Sequence, residues 1–243
     1  MALDFIAPVN AIRYCGAVPV LVDAEAASWQ MDPALALEFL ARDCTRTPKG
    51  LINRRSGRRV AALLPVHILG HPVALEGLLA AAADYGLPVI EDAAESLGAR
   101  LGGRKLGTLG RIGCFSFNGN KLLPTGGGGM LVTEDTPLAR RARYLTTQAK
   151  EPGDAGEHGE VGYNYRLTSL QAAFGQAQLE RLDELVAAKR RIAAAYADGL
   201  AELPGVTLMP EQEGATSAFW LYTIRIDANS AGILALVSNV PAA

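Results

Sequence analysis

Residues 60–95 read VAALLPVHILGHPVALEGLLAAAADYGLPVIEDAAE, two short apolar runs on either side of a longer amphipathic one. In the middle, ALEGLLAAAADY repeats apolar residues at helical spacing, and Gly86 follows it as a suitable residue just past a helix end. The flanking runs at 60–67 and 87–94 are short and bounded, as buried strands are. Strand, helix and strand in that order make one βαβ unit, whose two strands run parallel.

The alternation continues outward from this unit. VPVLVD at 18–23, GCFSF at 113–117 and GMLVTED at 129–135 read as further buried strands, most of them parallel. The expected fold class is therefore α/β, a central, mostly parallel sheet flanked by helices. From Thr168 onward Leu170, Phe174, Ala177, Leu182, Leu185, Ile192 and Tyr196 fall roughly on one face as far as Leu200, predicting a long helix or a broken pair. After Pro204-Gly205, VTLM and FWLYTIRID read as two alternating strands that start a smaller α+β layer. The expected division is a large domain over 1–190 and the beginning of a small C-terminal domain over 191–243.

Composition sets limits on function. The chain has 243 residues, 49% of them hydrophobic, enough for a large core. Its formal net charge of −2, with basic residues scattered rather than striped, leaves no electrostatic footprint for nucleic acid and favours small-molecule chemistry. Cys15, Cys44 and Cys114 are widely spaced, in keeping with neither a disulfide framework nor a zinc site and in keeping with a reducing cytoplasm. No apolar run is long enough to cross a bilayer, and a soluble protein is expected.

In an open α/β sheet, ligands collect beyond the carboxyl ends of the strands. There the sequence delivers His67, then Glu91 and Asp92, then Ser116, Asn118, Asn120 and Lys121, the last just before the glycine run 126–129. An acid at one strand end and a lysine past another suit a cofactor that needs an amine for covalent attachment and a carboxylate for a ring nitrogen. Pyridoxal 5′-phosphate is that cofactor. Lys121 would attach it and then carry protons, Asp92 would keep the pyridine nitrogen protonated, and Ser116 with nearby backbone N–H groups would bind phosphate. The glycines would let the backbone pass close to cofactor and substrate.

Blander readings stand beside these. A lysine near glycines is most often a solvated loop residue, and an aspartate at a strand end is often a helix N-cap. A nucleotide P-loop would place its lysine after the glycines, whereas Lys121 precedes them. His67 and His71 flank a glycine without a clear third ligand, which favours loop histidines over a metal site. Phe219, Trp220 and Tyr222 read as core of the small domain rather than as a stacking platform.

PVIEDAAESLGA, FSFNGNK followed by TGGGGMLVT, and VGYNYRLTSLQAAFGQAQLERLD together resemble the sugar aminotransferases of the DegT/DnrJ/EryC1/StrS family, which are fold-type-I pyridoxal-phosphate enzymes. The resemblance runs from about Phe5 to about Asp227. LINRRSGRR, PVHILGHPV and SFNGNK look most like the branch making legionaminic-acid and bacillosamine-type precursors. The resemblance implies that Lys121 is the attachment lysine and Asp92 the partner of the pyridine nitrogen. It further implies that Glu95 lies on the ring-hydroxyl side, that Ser116 binds the phosphate and that Phe5 lies against the ring. Asn164 would reach the phosphate of a neighbouring subunit, making a homodimer with shared active sites. The implied reaction moves an amino group from an amino acid, with glutamate expected, to C4 of a nucleotide-linked 4-keto-6-deoxy sugar. A dehydratase of the same fold would carry histidine where Lys121 stands.

The sequence also departs from the family at its ends. It starts at the aromatic segment, read as a strand, without the family's preceding phosphate loop, and residues 229–243 do not resemble the family's small domain. An N- and C-terminally incomplete chain is expected, aggregation-prone and without measurable transaminase activity when expressed alone. The alternative reading is an inactive fragment or a non-catalytic, aminotransferase-like binding domain.

Overall fold

The computed structural model describes residues 5–153 and 156–227, so the reading of 229–243 falls outside the described residues. The chain begins with helices α1 (Ile6–Tyr14) and α2 (Pro33–Arg42), followed by the hairpin β1 (Cys44–Thr47) and β2 (Gly50–Asn53). Helix α3 (Glu76–Tyr85) leads to β3 (Ile90–Asp92), and the short hairpin β4 (Arg100–Leu101) and β5 (Arg104–Lys105) leads to β6 (Ile112–Ser116) and β7 (Gly129–Val132). Then come α4 (Thr136–Thr146), α5 (Ser169–Leu179), α6 (Leu182–Leu200), β8 (Val206–Leu208), β9 (Ala215–Thr216) and β10 (Ile224–Ile226).

The βαβ unit is present in the expected register. Helix α3 stops at Gly86, whose φ of 67° is left-handed, and β3 follows it. Residues 60–67 lie parallel to β3, bridging Leu63 to Val89 and Val66 to Asp92, but they do not form a regular strand. Pro65 explains this: Leu63 and His67 donate to the carbonyls of Pro88 and Asp92, while Pro65 between them has no N–H to give. Next in the sheet, β3 pairs parallel with β6, and β6 pairs antiparallel with β7. Two of the three alignments are thus parallel, in the mixed α/β arrangement expected.

Two expected strands differ. Residues 18–23 form no strand, and Val18, Val20 and Leu21 are exposed. The segment has apolar side chains but no strand ladder: at its end the Asp23 carbonyl accepts the Asp32 N–H at 2.8 Å, and a strand is defined by its ladder rather than by its composition. The aromatic segment at Phe5 is likewise not a strand: Phe5 is the N-cap of α1. The long amphipathic pattern resolves into the broken pair α5 and α6, the first opened by a reciprocal capping box between Thr168 and Gln171.

The core lies between α2, α3 and the sheet, where Ala36, Val73, Leu75 and Leu78 are buried together. A second cluster packs Ala99, Leu106 and Ala218. Strand β9 pairs with β4, so this part of the chain beyond α6 returns to the first sheet region.

Candidate active site

Strand alternation sends Glu91 and Asp92 to opposite faces. Glu91 is sealed inside, where its Oε2 accepts from His67 Nε2 at 3.0 Å and from the Gly107 N–H at 2.8 Å. Its Oε1 accepts from the N–H groups of Leu109 and Gly110 at 2.6 and 2.5 Å. Burial works to raise its pKa, but His67 and these backbone donors outweigh it and hold the carboxyl below the ordinary range. His67 Nδ1 accepts the Val73 N–H at 3.1 Å, so the ring proton is on Nε2, facing Glu91. Glu91 and His67 are thus spent on holding the 107–110 loop under the sheet. No cluster suited to a metal occurs among the described residues.

Asp92 faces the other way, its Oδ1 accepting the Ala94 N–H at 3.0 Å. Burial pushes its pKa up, and Lys121 and His67 counter this only partly. Such a carboxyl gains from a cationic partner more than an exposed one would.

Lys121 reaches the same region from the turn after β6, where its N–H donates to the Asn118 carbonyl. Its Nζ lies 3.4 Å from Glu95 Oε1, and Glu95 Oε2 accepts the Leu69 N–H at 2.6 Å. Burial also raises the pKa of Glu95, against the opposing pull of the Leu69 N–H and Lys121. Ser116 closes β6 with its Oγ accepting from the Asn118 N–H at 3.3 Å. Phe5 is half-exposed, its ring centroid 5.6 Å from Lys121 Nζ. Thus Asp92, Glu95 and Lys121 are electrostatically coupled, with Phe5 at the edge and Ser116 at the neighbouring strand end.

Asn164 stands apart. It is exposed and lines an open cleft with Gly128, Met130, Arg166 and Gln171, between β7 and α5. Two of the four glycines in the run also make close approaches within the chain. A Cβ on Gly128 would meet Leu167 at 2.3 Å, and one on Gly129 would meet the Phe115 carbonyl oxygen across the β6–β7 pair at 2.4 Å.

One residue beside the amine was read otherwise. Trp220, expected in the core of a small domain, has its ring centroid 3.9 Å from Lys121 Nζ. Phe219 packs edge-on against His71 at 4.8 Å with Arg190 of α6 over its ring at 5.5 Å, and Tyr222 stacks on Tyr196 of α6. Periodicity could not show this, since residues 217–220 are irregular, with Phe219 at a φ of 44°. The available signal was the adjacent aromatics themselves.

The donor set fits pyridoxal 5′-phosphate: a lysine amine to attach, a partly buried carboxyl that gains from a cationic ring nitrogen, a hydroxyl at a strand end and aromatic faces alongside.

Comparison with known proteins gives the same direction. Residues 1–240 match the DegT/DnrJ/EryC1/StrS aminotransferase family. The chain is 43% identical over 226 residues to EpsN of Bacillus subtilis, covering 93% of this chain and 56% of that protein. It is 41% identical over 226 residues to the GDP-perosamine synthase of Caulobacter vibrioides, covering 93% of this chain and 57% of that protein. The crystal structure of DesV from S. venezuelae superposes with a TM-score of 0.83 at 33% identity, covering 97% of this chain and 59% of that one. The chain therefore spans less than two thirds of each of these relatives.

Proposed function

This chain belongs to the DegT/DnrJ/EryC1/StrS aminotransferase family, and on that premise we propose that it carries the cofactor site of a pyridoxal-phosphate-dependent nucleotide-sugar aminotransferase. In this reading the amino group of an amino acid, glutamate by expectation, passes to C4 of a nucleotide-linked 4-keto-6-deoxy sugar. The branch resemblance to legionaminic-acid and bacillosamine-type enzymes, a cytoplasmic location and the division near residue 190 belong to the same proposal. Among the described residues no helix is long and apolar enough to cross a membrane. The observation that carries the reading is the meeting of the Lys121 amine with Glu95 at 3.4 Å, electrostatically coupled to the partly buried Asp92.

When bound, pyridoxal 5′-phosphate supplies an electron sink in its protonated ring. The chain's own residues do the rest. Lys121 provides the attaching amine and moves a proton at its Nζ. Asp92 keeps a proton on the ring nitrogen, its carboxylate gaining the cationic partner that burial denies it. Glu95 orients the Lys121 amine on the ring-hydroxyl side. Ser116 Oγ donates to the phosphate, and Phe5 covers the ring. Asn164 serves the phosphate of a neighbouring subunit, so that two chains share two sites.

Borohydride reduction of protein incubated with the cofactor tests this. A pyridoxyl adduct is expected on Lys121, with loss of visible absorbance, and Lys121→Ala is expected to abolish it. An adduct mapped to Lys105 or Lys150 instead would overturn the assignment.

A further inference from the structure

The Lys121 amine meets one carboxylate, that of Glu95, and two aromatic rings, Trp220 close by and Phe5 farther off at 5.6 Å. The Glu95 side chain is 5% exposed and that of Lys121 13%, so the amine is largely out of water. Above it lies the indole of Trp220, at 3.9 Å from Nζ to ring centroid, inside the range over which an aromatic face attracts a cation. Indole is the strongest of the aromatic partners, and loss of water around the pair strengthens the attraction.

One hydrogen bond holds the ring and several more hold the backbone that carries it. Its Nε1–H donates to the Asn120 carbonyl at 2.7 Å, the residue before Lys121, so ring and amine are tied to one loop. The Trp220 carbonyl accepts from Lys189 Nζ of α6 at 3.1 Å. Just before it, Ala218 donates to the Gly70 carbonyl at 3.0 Å, and the left-handed Phe219 donates to Ser217 Oγ at 2.9 Å. Gly70 makes the approach possible, since a Cβ there would stand 2.8 Å from the Trp220 nitrogen. A core tryptophan needs only apolar neighbours and one acceptor for its N–H. Here the acceptor of that N–H is the residue next to Lys121, the backbone on either side is pinned, and the ring face lies over a single amine.

We propose that Trp220 is a positioning residue of the site, holding the Lys121 ammonium against its face whenever that amine is not covalently engaged. The proposal rests on the reading of Lys121 as the attachment lysine. Glu95 and Trp220 divide the task chemically. Glu95 attracts the ammonium but has lone pairs that can take its proton. The indole face attracts the same cation and has no lone pair to accept with. An amine released from the cofactor is thereby retained near the reacting atoms with its proton still available to deliver.

Competitive labelling tests the hold without any turnover. The protein is treated with a limiting amine-acylating reagent, and modification of Lys121 is measured by peptide mass spectrometry relative to exposed Lys105 and to Lys189. Trp220→Leu is expected to raise the Lys121 ratio about tenfold, the effect of about 1.4 kcal/mol of lost attraction. Trp220→Phe, which keeps an aromatic face, is expected to raise it by only about threefold. The Lys189 ratio should stay constant in both. An unchanged Lys121 ratio, or a parallel rise at Lys189 that marks local unfolding, overturns the proposal. If Trp220→Leu does not fold, the comparison with Trp220→Phe decides, and equality with the parent overturns it. Borohydride mapping of pyridoxal 5′-phosphate on the same samples keeps the two readings separate: an adduct away from Lys121 defeats the proposed function, whereas the labelling ratio alone judges the role of Trp220.

Discussion

His71 and Glu91 are both sealed from solvent, yet the fold treats their charges in opposite ways. Glu91 has backbone donors and His67 around it and stays ionised. At His71, Nδ1 meets Ser217 Oγ at 2.9 Å, and a backbone hydrogen bond to Leu69 is the ring's other polar support. Burial pushes its pKa down to about 4, with the hydrogen bond to the Leu69 backbone and Glu211 opposing and Arg190 adding to the effect. The sign follows from linkage. The folded ring is neutral, while the unfolded chain takes a proton below the ordinary value of 6.5. Stability from this group is therefore complete above 6.5 and is lost as pH falls towards 4. Between pH 7.5 and 4.5 the loss should reach about 2–3 kcal/mol. Glu91, with its lowered pKa, acts in the same direction, whereas the raised Asp92 and Glu95 act against it, so the informative quantity is a difference. Urea denaturation at the two pH values should show His71→Gln losing about 2–3 kcal/mol less than the parent. Equal losses would mean that His71 is not held neutral. At this scale the sequence places Lys121 and Asp92 through their strand ends, but it cannot say that Glu91, one residue away, turns inward to serve a loop.

Gly70 joins two elements distant in sequence, the 3-10 turn Ile68–Gly70 and the irregular stretch ahead of β10. It is left-handed at a φ of 90°, and an added Cβ would also meet the Phe219 nitrogen at 3.0 Å and the Glu95 carbonyl oxygen at 3.3 Å. Gly70→Ala should therefore cost roughly 1–3 kcal/mol, because a left-handed alanine is strained and backbone cannot give way as a side-chain tip can. A shift of the denaturation midpoint below that range would mean the junction is softer than its contacts suggest. Elements governed by local signals were legible: α3 ends on its glycine, and α5 begins at its capping box. Helices α2 and α4 carry local signals too, each with an aspartate N-cap followed by proline near the start, Asp32 before Pro33 and Asp135 ahead of Pro137, but their apolar spacing does not mark them as helices on its own. Residues 18–23 and 60–67 show the converse. Apolar runs suggest strands, but pairing depends on partners elsewhere in the chain and on N–H groups that Pro65 lacks. The return of Trp220 to Lys121 was illegible for the same reason, since it depends on Gly70, 150 residues earlier.

Over the whole molecule, exposed apolar surface gathers around Asn164. Val161 is 80% exposed, Leu170 81% and Phe174 57%, and Tyr163 and Tyr165 stack on each other in the open. Such a patch needs a cover, and in the proposed homodimer it lies where one subunit meets the site of the other. The arrangement makes a prediction that needs no turnover. If Asn164 serves the phosphate held at the neighbour's Lys121, then Asn164→Ala removes a charge-assisted hydrogen bond of about 1.5–3 kcal/mol and weakens cofactor uptake at least tenfold. Lys121→Ala subunits cannot attach cofactor, but they still bring Asn164. Mixed in excess with Asn164→Ala subunits, they should place nearly every remaining lysine in a composite site that is complete. Cofactor affinity, followed by visible absorbance, should then return to that of the unaltered protein. Adding Phe174→Glu to both subunits should abolish the rescue by charging the surface that joins them. If folded, exchanging subunits show no gain in affinity on mixing, Asn164 does not reach across, and the site must bind phosphate with groups of one chain alone.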